Sequence, residues 1–374
     1  MEKQRKEIKN TLGMFDLLKG IIIIIMILSH TTGLMDFLGT YPTATAFLED
    51  YSFPALVAEM TMELFAEAAM PIMMILGGYG FRKTTFKKCL KKQYKTIIIP
   101  YIITVAVTLP ALFIMATIFD GGWKKAVRTT AMMGIGFGLG MPQMRLVFGH
   151  MIGTSGPFWF LIALVVGSLV FNQLLHRFEG KKLLLASFGV ACLGWVIGLL
   201  GPLPLCMAQS LEAVLYLCMG YFAKKEKIFT APLDKENKLT KFLPVFIPII
   251  AAKCFASQFN MALNYYTYGP ISIVFHGIMG MFIIHLFLRI NNLNGFINTF
   301  LRKVGRLSLY VLCVHTVELI AGGAYFAERF KENWTGDLLL RSAILFGVRA
   351  VIVLVATYVF VALKDYFQSK KING

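Results

Sequence analysis

A chain of 374 residues with 57% hydrophobic side chains, only 15% charged ones and a mean hydropathy of +0.68 is too apolar for a soluble globular domain and reads as an all-α polytopic membrane protein. Its net charge of +17 does not indicate nucleic acid, because the Lys and Arg residues cluster between alternate apolar stretches instead of along one polar face. Six scattered cysteines with no CxxC and no Cys/His pair at metal-ligand spacing exclude a disulfide framework or structural zinc, and no metal is expected.

About 20 apolar residues cross a hydrocarbon core, and on that measure the chain holds about ten spans. They are, roughly, 14–34, 60–81, 97–119, 156–176, 183–201, 205–223, 242–262, 269–288, 304–323 and 341–363. The first follows Lys3, Arg5, Lys6 and Lys9 and runs on past Ile21–His30, so it is a retained span and not a cleaved signal. An even number puts both ends on one side. With the N-terminus in the cytoplasm, 28 of the 37 Lys and Arg fall in inner segments and 7 in outer ones, the bias that fixes orientation. The polar segments near 120–155 and 224–241 are too short for a separate core, so 1–374 is one membrane domain in the cell membrane with cytoplasmic termini.

Ionisable groups inside spans are costly and carry the functional signal. Span 1 holds Asp16, Lys19 and His30. Lys19 and His30 are eleven residues apart, which puts them within about 20° of one helix face with a rise of about 16 Å. Asp16 lies one turn before Lys19 and can pair with it. Against this stands the plainer reading that Lys19 snorkels to the inner headgroups and His30 fills a polar gap between helices. Span 2 carries Glu59, Glu63 and Glu67 as one carboxylate stripe. The run Gly134-Ile-Gly136-Phe-Gly138-Leu-Gly140 lacks the spacing of a phosphate loop and reads as a mobile loop or close helix packing. Further along stand Trp159, Glu212, Lys253, His276 and His285, then His315 with Glu318 one turn later, and Arg349. By span direction the ionisable groups other than Asp16, Lys19 and His285 share the outer half with His30, which implies a polar chamber opening outward above a basic cytoplasmic mouth. That layout suits transfer of a group from a phosphate-bearing donor inside to an acceptor outside. A transporter that couples buried charges to protons is the rival class.

Four stretches carry a resemblance in order along the chain. Phe15-Asp16-Leu-Leu-Lys19-Gly20 through Ser29-His30 resembles the opening of the acyltransferase-3 family of integral membrane acyltransferases, whose first span has Arg or Lys, ten residues, then His. Met70-Pro71 through Gly77-Gly78-Tyr79 is similar to the family's "MPLFFFLSGY", Gly156-Pro157-Phe158-Trp159-Phe160-Leu161 to "GPLWFL", and Val304-Gly305-Arg306-Leu-Ser308-Leu309-Tyr310 to His315 to "IGRNSLYIYLLH". Departures from the sugar O-acetylase-like branch are Ala69 for His, Gly77 for Ser, and Lys92-Gln-Tyr-Lys95 for the basic pair RxxR, which keeps charge but loses the arginine fork.

The resemblance implies transfer of an acyl group, commonly acetyl from acetyl-CoA, to a hydroxyl of a glycan or secreted small molecule. The residues agree. An imidazole is a suitable general base for a hydroxyl, so His30 is the expected base, with His315 and Glu318 orienting or assisting. Lys19, Lys92 and Lys95 are candidates for the CoA phosphates, the last two equally for a purely topological role. Glu63, Glu67, Trp159 and Arg349 are candidates for acceptor binding, although Trp159 also fits an interfacial anchor.

Overall fold

The computed structural model describes residues 8–31, 44–232, 237–242 and 259–373, which form a helical bundle with two short hairpins. In chain order the helices are α1 (Asp16–Ser29), α2 (Ala44–Asp50), α3 (Phe53–Tyr79), α4 (Phe86–Gln93), α5 (Ile99–Phe119), α6 (Trp123–Leu139), α7 (Trp159–Arg177), α8 (Gly180–Gly198), α9 (Met207–Lys225), α10 (Pro270–Ile290), α11 (Phe296–Arg306), α12 (Ser308–Val317), α13 (Ala324–Glu332) and α14 (Leu338–Asn373). Strands β1 (Arg145–Val147) and β2 (His150–Ile152) pair antiparallel, as do β3 (Phe259–Asn260) and β4 (Tyr265–Tyr266). Five consecutive isoleucines, Ile21–Ile25, stand in α1 despite their modest helix propensity. In lipid every backbone polar group needs an internal partner, and a helix supplies one for each residue.

Among the described residues, six helices are long and apolar enough to cross a membrane, seven if the bent pair α11 and α12 with its continuation counts as one. They match the expected spans at 97–119, 156–176, 183–201, 205–223, 269–288 and 341–363. Three of the remaining four expected spans take other forms. Helix α1 has 14 residues, and the apolar part of α3 is Leu64–Tyr79. The expected span 304–323 is broken, with a 74° bend between Phe296–Arg306 and Ser308–Gly323. Most of the fourth, 242–262, lies outside the described residues, with Lys253 among them. The glycine run at 134–140 is helical through Leu139, and a Cβ on Gly136 would meet the Gly153 carbonyl oxygen at 2.2 Å, so Gly136 serves close packing.

The centre of the bundle is α9, fully apolar-buried along Ala213–Cys218 and enclosed by α3, α7 and α8. Small residues let it approach: a Cβ on Gly220 would lie 1.9 Å from the Ile75 carbonyl oxygen, and one on Gly78 2.1 Å from that of Leu217. The same device seats α11 on α1, where a Cβ on Gly305 would lie 1.9 Å from the Asp16 carbonyl oxygen and one on Gly20 2.0 Å from that of Leu301. Gly305→Ala therefore has to push the two backbones apart. Overpacking of this kind costs about 1–3 kcal/mol, so a lower thermal midpoint in detergent is expected, and a midpoint equal to the parent's would show that α11 is not held on α1.

Helix α14 runs antiparallel to α1. Arg349, near its start, reaches His30 at the end of α1, while Lys364, near its end, donates to the Tyr310 hydroxyl just beyond α11. The bundle thus has two ends, one marked by Asp16 and α11, the other by His30.

Candidate functional site

His30 is the residue that stops α1. Its backbone N–H still accepts helical partnership by donating to the Met26 carbonyl, and its side chain turns back to the same oxygen, with Nδ1 at 2.7 Å. A carbonyl only accepts, so Nδ1 carries the proton and Nε2 keeps its lone pair. The local sequence thereby sets the tautomer that a base needs.

The facing ring is His315 of α12, centroid to centroid 5.3 Å away and tilted by 57°. It is completely buried, and neither ring nitrogen has a hydrogen-bond partner. Nδ1 does lie 3.3 Å from the Glu318 carboxylate, close enough for electrostatic attraction but not aligned as a hydrogen bond. Glu318 opens a π-helical turn, Glu318–Gly323, that interrupts the helix after Val317. Such turns recur at functional sites, and here the turn swings the carboxylate toward α14. Arg349 receives it with a two-point grip, Nε at 2.8 Å from one oxygen and Nη2 at 3.1 Å from the other, and its Nη1 donates to the His30 carbonyl at 2.7 Å. One guanidinium therefore ties the last turn of α1 to the π-turn. The space is closed by Gly323, where a Cβ would lie 2.7 Å from Glu318 and 2.9 Å from Arg349.

His30, His315, Glu318 and Arg349, drawn from three separate parts of the chain, make one cluster. Other expected site residues stand elsewhere. Glu67 belongs to a second buried set, where one oxygen accepts from the Phe259 backbone N–H at 2.9 Å and the other lies 3.1 Å from His276 Nε2. Phe259 stacks on His276 at 3.7 Å and on Tyr266 at 4.7 Å, and the Tyr266 hydroxyl donates to Glu212. The side chain of Glu63 lies outside the described residues. Trp159 is buried, in the core at the start of α7, edge-on to Phe160. His285 lies toward the other end, 3.1 Å from Arg289.

Lys19 sits at the opposite end of α1, where it pairs with Asp16 at 2.8 Å as its spacing allows. Arg306 holds the other oxygen of Asp16, also at 2.8 Å. Lys92 lies in α4 and Lys95 in the π-helical turn Tyr94–Ile98, both exposed. What sequence reasoning missed is the role of α11: Arg302, Lys303 and Arg306 line one cavity with the turn before α1. The signal was present, since Arg306 follows Arg302 at i, i+4 and Lys303 at i, i+3 on a short amphipathic helix, so each neighbours it on the helix surface. Among the described residues no group of three His, Cys, Asp or Glu side chains can hold a metal ion.

Residues 13–363 match the model of a family described as an acyltransferase domain, the acyltransferase-3 family. No curated protein and no solved structure matches the chain.

Proposed function

The chain belongs to the acyltransferase-3 family, and from that premise we propose that it moves an acyl group, acetyl in the simplest case, from cytoplasmic acyl-CoA to a hydroxyl of a glycan or small molecule on the outer side of the cell membrane. The observation that carries this reading is the His30 imidazole, whose Nδ1 is committed to Met26 and whose Nε2 is left as a proton acceptor beside His315. In the proposed reaction the acceptor oxygen attacks the thioester carbonyl while its proton passes to His30 Nε2. The carbon–sulfur bond then breaks, and the sulfur leaves with the proton as the free thiol. His315 and Glu318 shape the charge around that base. Arg349 has all three donor nitrogens engaged by Glu318 and His30, so its part is to position the cluster and not to grip the acceptor. Glu63, Glu67 and Trp159 remain proposals for acceptor binding, and Lys92 and Lys95 add positive charge near the donor's entry. Family membership and this base together favour transfer over the transporter reading.

Purified protein incubated with acetyl-labelled CoA is expected to release label to water or to an acceptor alcohol. Intact acetyl-CoA after prolonged incubation with a folded, lipid-reconstituted protein would refute the reading. The proposed orientation has its own check: Lys125→Cys should react with an impermeant thiol reagent from outside intact cells and Lys88→Cys only after permeabilisation. The reverse pattern would invert the membrane topology.

A further inference from the structure

Helix α9 carries a line of buried polar atoms that the histidine cluster does not use. Gln209, Glu212 and Tyr216 are spaced i, i+3 and i+7, so their side chains leave the helix within about 60° of one another. All three are buried, at 3%, 0% and 0% exposure. The segment of the β3–β4 hairpin fixes two of them. Gln209 donates Nε2 to the Ala262 carbonyl at 3.2 Å, and Glu212 accepts at Oε2 from the Tyr266 hydroxyl. Those bonds engage one end of each side chain and leave the other. Gln209 Oε1, Glu212 Oε1 and the Tyr216 hydroxyl have no hydrogen-bond partner among the described residues. No cation among them pairs with Glu212 either, and Tyr266 is the group that stabilises its charge. Tyr216 and Tyr266 both lie within electrostatic reach of Glu212 and of each other.

An ionised carboxylate is costly to take out of water unless an opposite charge meets it, and a single hydroxyl does not supply one. Protonating Glu212 does not satisfy the set, because its hydroxyl and that of Tyr266 would be two donors sharing one contact, while Gln209 Oε1 still lacked a donor. The atoms left over are all oxygens, one anionic, one carbonyl and one hydroxyl, which is the donor set of a hard cation. Their single negative charge balances a monovalent ion, whereas a divalent one would leave net positive charge inside the bundle. Complete burial of Glu212 and Tyr216 suits a small bare ion better than an organic ammonium. We propose that α9 and the β3–β4 hairpin enclose a sodium ion, held by Glu212 with the Gln209 carbonyl and the Tyr216 hydroxyl. The ion neutralises Glu212 and so secures the hairpin, whose Phe259 also binds Glu67 and stacks on His276. The expectation that no metal binds rested on Cys and His spacing, to which an oxygen set with one carboxylate gives no signal. The site stands independently of the acyl-CoA reading.

The probe is sodium chloride, added to the full chain purified in choline chloride and held in nanodiscs at constant ionic strength. Parent protein should show a saturable rise in thermal midpoint with sodium and saturable binding of radioactive sodium, because a ligand that binds only the folded state stabilises it. Glu212→Gln keeps the shape of the side chain and an oxygen for Tyr266 but removes the charge, so it should fold with a midpoint that no longer responds to sodium. Tyr216→Phe removes one neutral ligand and should weaken sodium binding by about 2- to 10-fold, the range of one hydrogen-bonding contact. A parent whose midpoint and label binding ignore sodium would overturn the proposal, since the three oxygens would then be served by water alone. So would sodium affinity equal to the parent's in Glu212→Gln or, if that variant does not insert, in Tyr216→Phe. Neither result bears on acyl transfer, which fails on its own data, a parent that leaves acetyl-CoA intact.

Discussion

His30→Gln is expected to lower acyl transfer by about a hundred- to ten-thousandfold while leaving the protein folded and able to bind donor. Glutamine keeps a hydrogen-bonding group at the end of α1 but offers no basic nitrogen, so the loss reports proton transfer and not polarity. The parent should gain rate with rising pH as the imidazole loses its proton, and the variant should lack that limb. Initial rates at saturating donor across pH, set beside thermal midpoints, measure both quantities together. A variant with more than about a tenth of the parent rate would make His30 a structural group. His315→Gln is a weaker instrument, because that ring is fully buried and its loss mixes packing with chemistry.

The second large effect is expected at Arg349. Arg349→Met leaves the Glu318 carboxylate in a mostly buried place without its two-point partner and removes the donor to the His30 carbonyl. Stranding one member of a buried ion pair typically costs about 3–5 kcal/mol, enough to abolish stable insertion or to drop the thermal midpoint sharply. Adding Glu318→Leu to the same chain removes the stranded charge, so the double variant should be markedly more stable than Arg349→Met alone. Arg349→Lys should rescue stability in part and transfer poorly, since an ammonium cannot span two carboxylate oxygens and a carbonyl in one plane. A single Arg349→Met variant as stable as the parent would show that the guanidinium does not hold the cluster together.

What could be read from the chain divides along a physical line. Hydropathy is a local property, and it located six helices that the structure bears out, α5 and α14 among them. Local spacing likewise placed Asp16 against Lys19 and His315 against Glu318, each pair three residues apart. Contacts across sequence were not legible: nothing local says that Arg349 closes on Glu318, 31 positions earlier, or on His30, 319 positions earlier. Nor did composition reveal α6, whose Lys124, Lys125, Arg128 and glycines hid a 17-residue helix inside what reads as a polar outer segment. The spacing that pairs Lys19 with Asp16 gives no sign of Arg306, which holds the other oxygen of the same carboxylate from the far end of the chain. Among the described residues, the ionisable groups expected in one outward chamber are held in two hydrogen-bonded sets, one around His30 and one around Glu67, His276 and the Tyr266–Glu212 pair.

Backbone contact at Gly20 and Gly305 leaves no side chain between α1 and α11, so the two helices have no slack along their common axis. With its lower end locked in that way, α1 becomes a gauge. The fourteen residues from Asp16 at the lower end of α1 to His30 set a separation of about 21 Å by helical rise alone. Any donor anchored below must have an arm that meets this length before its reactive carbon comes level with the imidazole. Chain length in the donor would then be measured by protein backbone and not by a side-chain stop. One alanine inserted after Ile23 would lengthen the gauge by about 1.5 Å and swing His30 through about 100°, away from His315, with every original side chain still present.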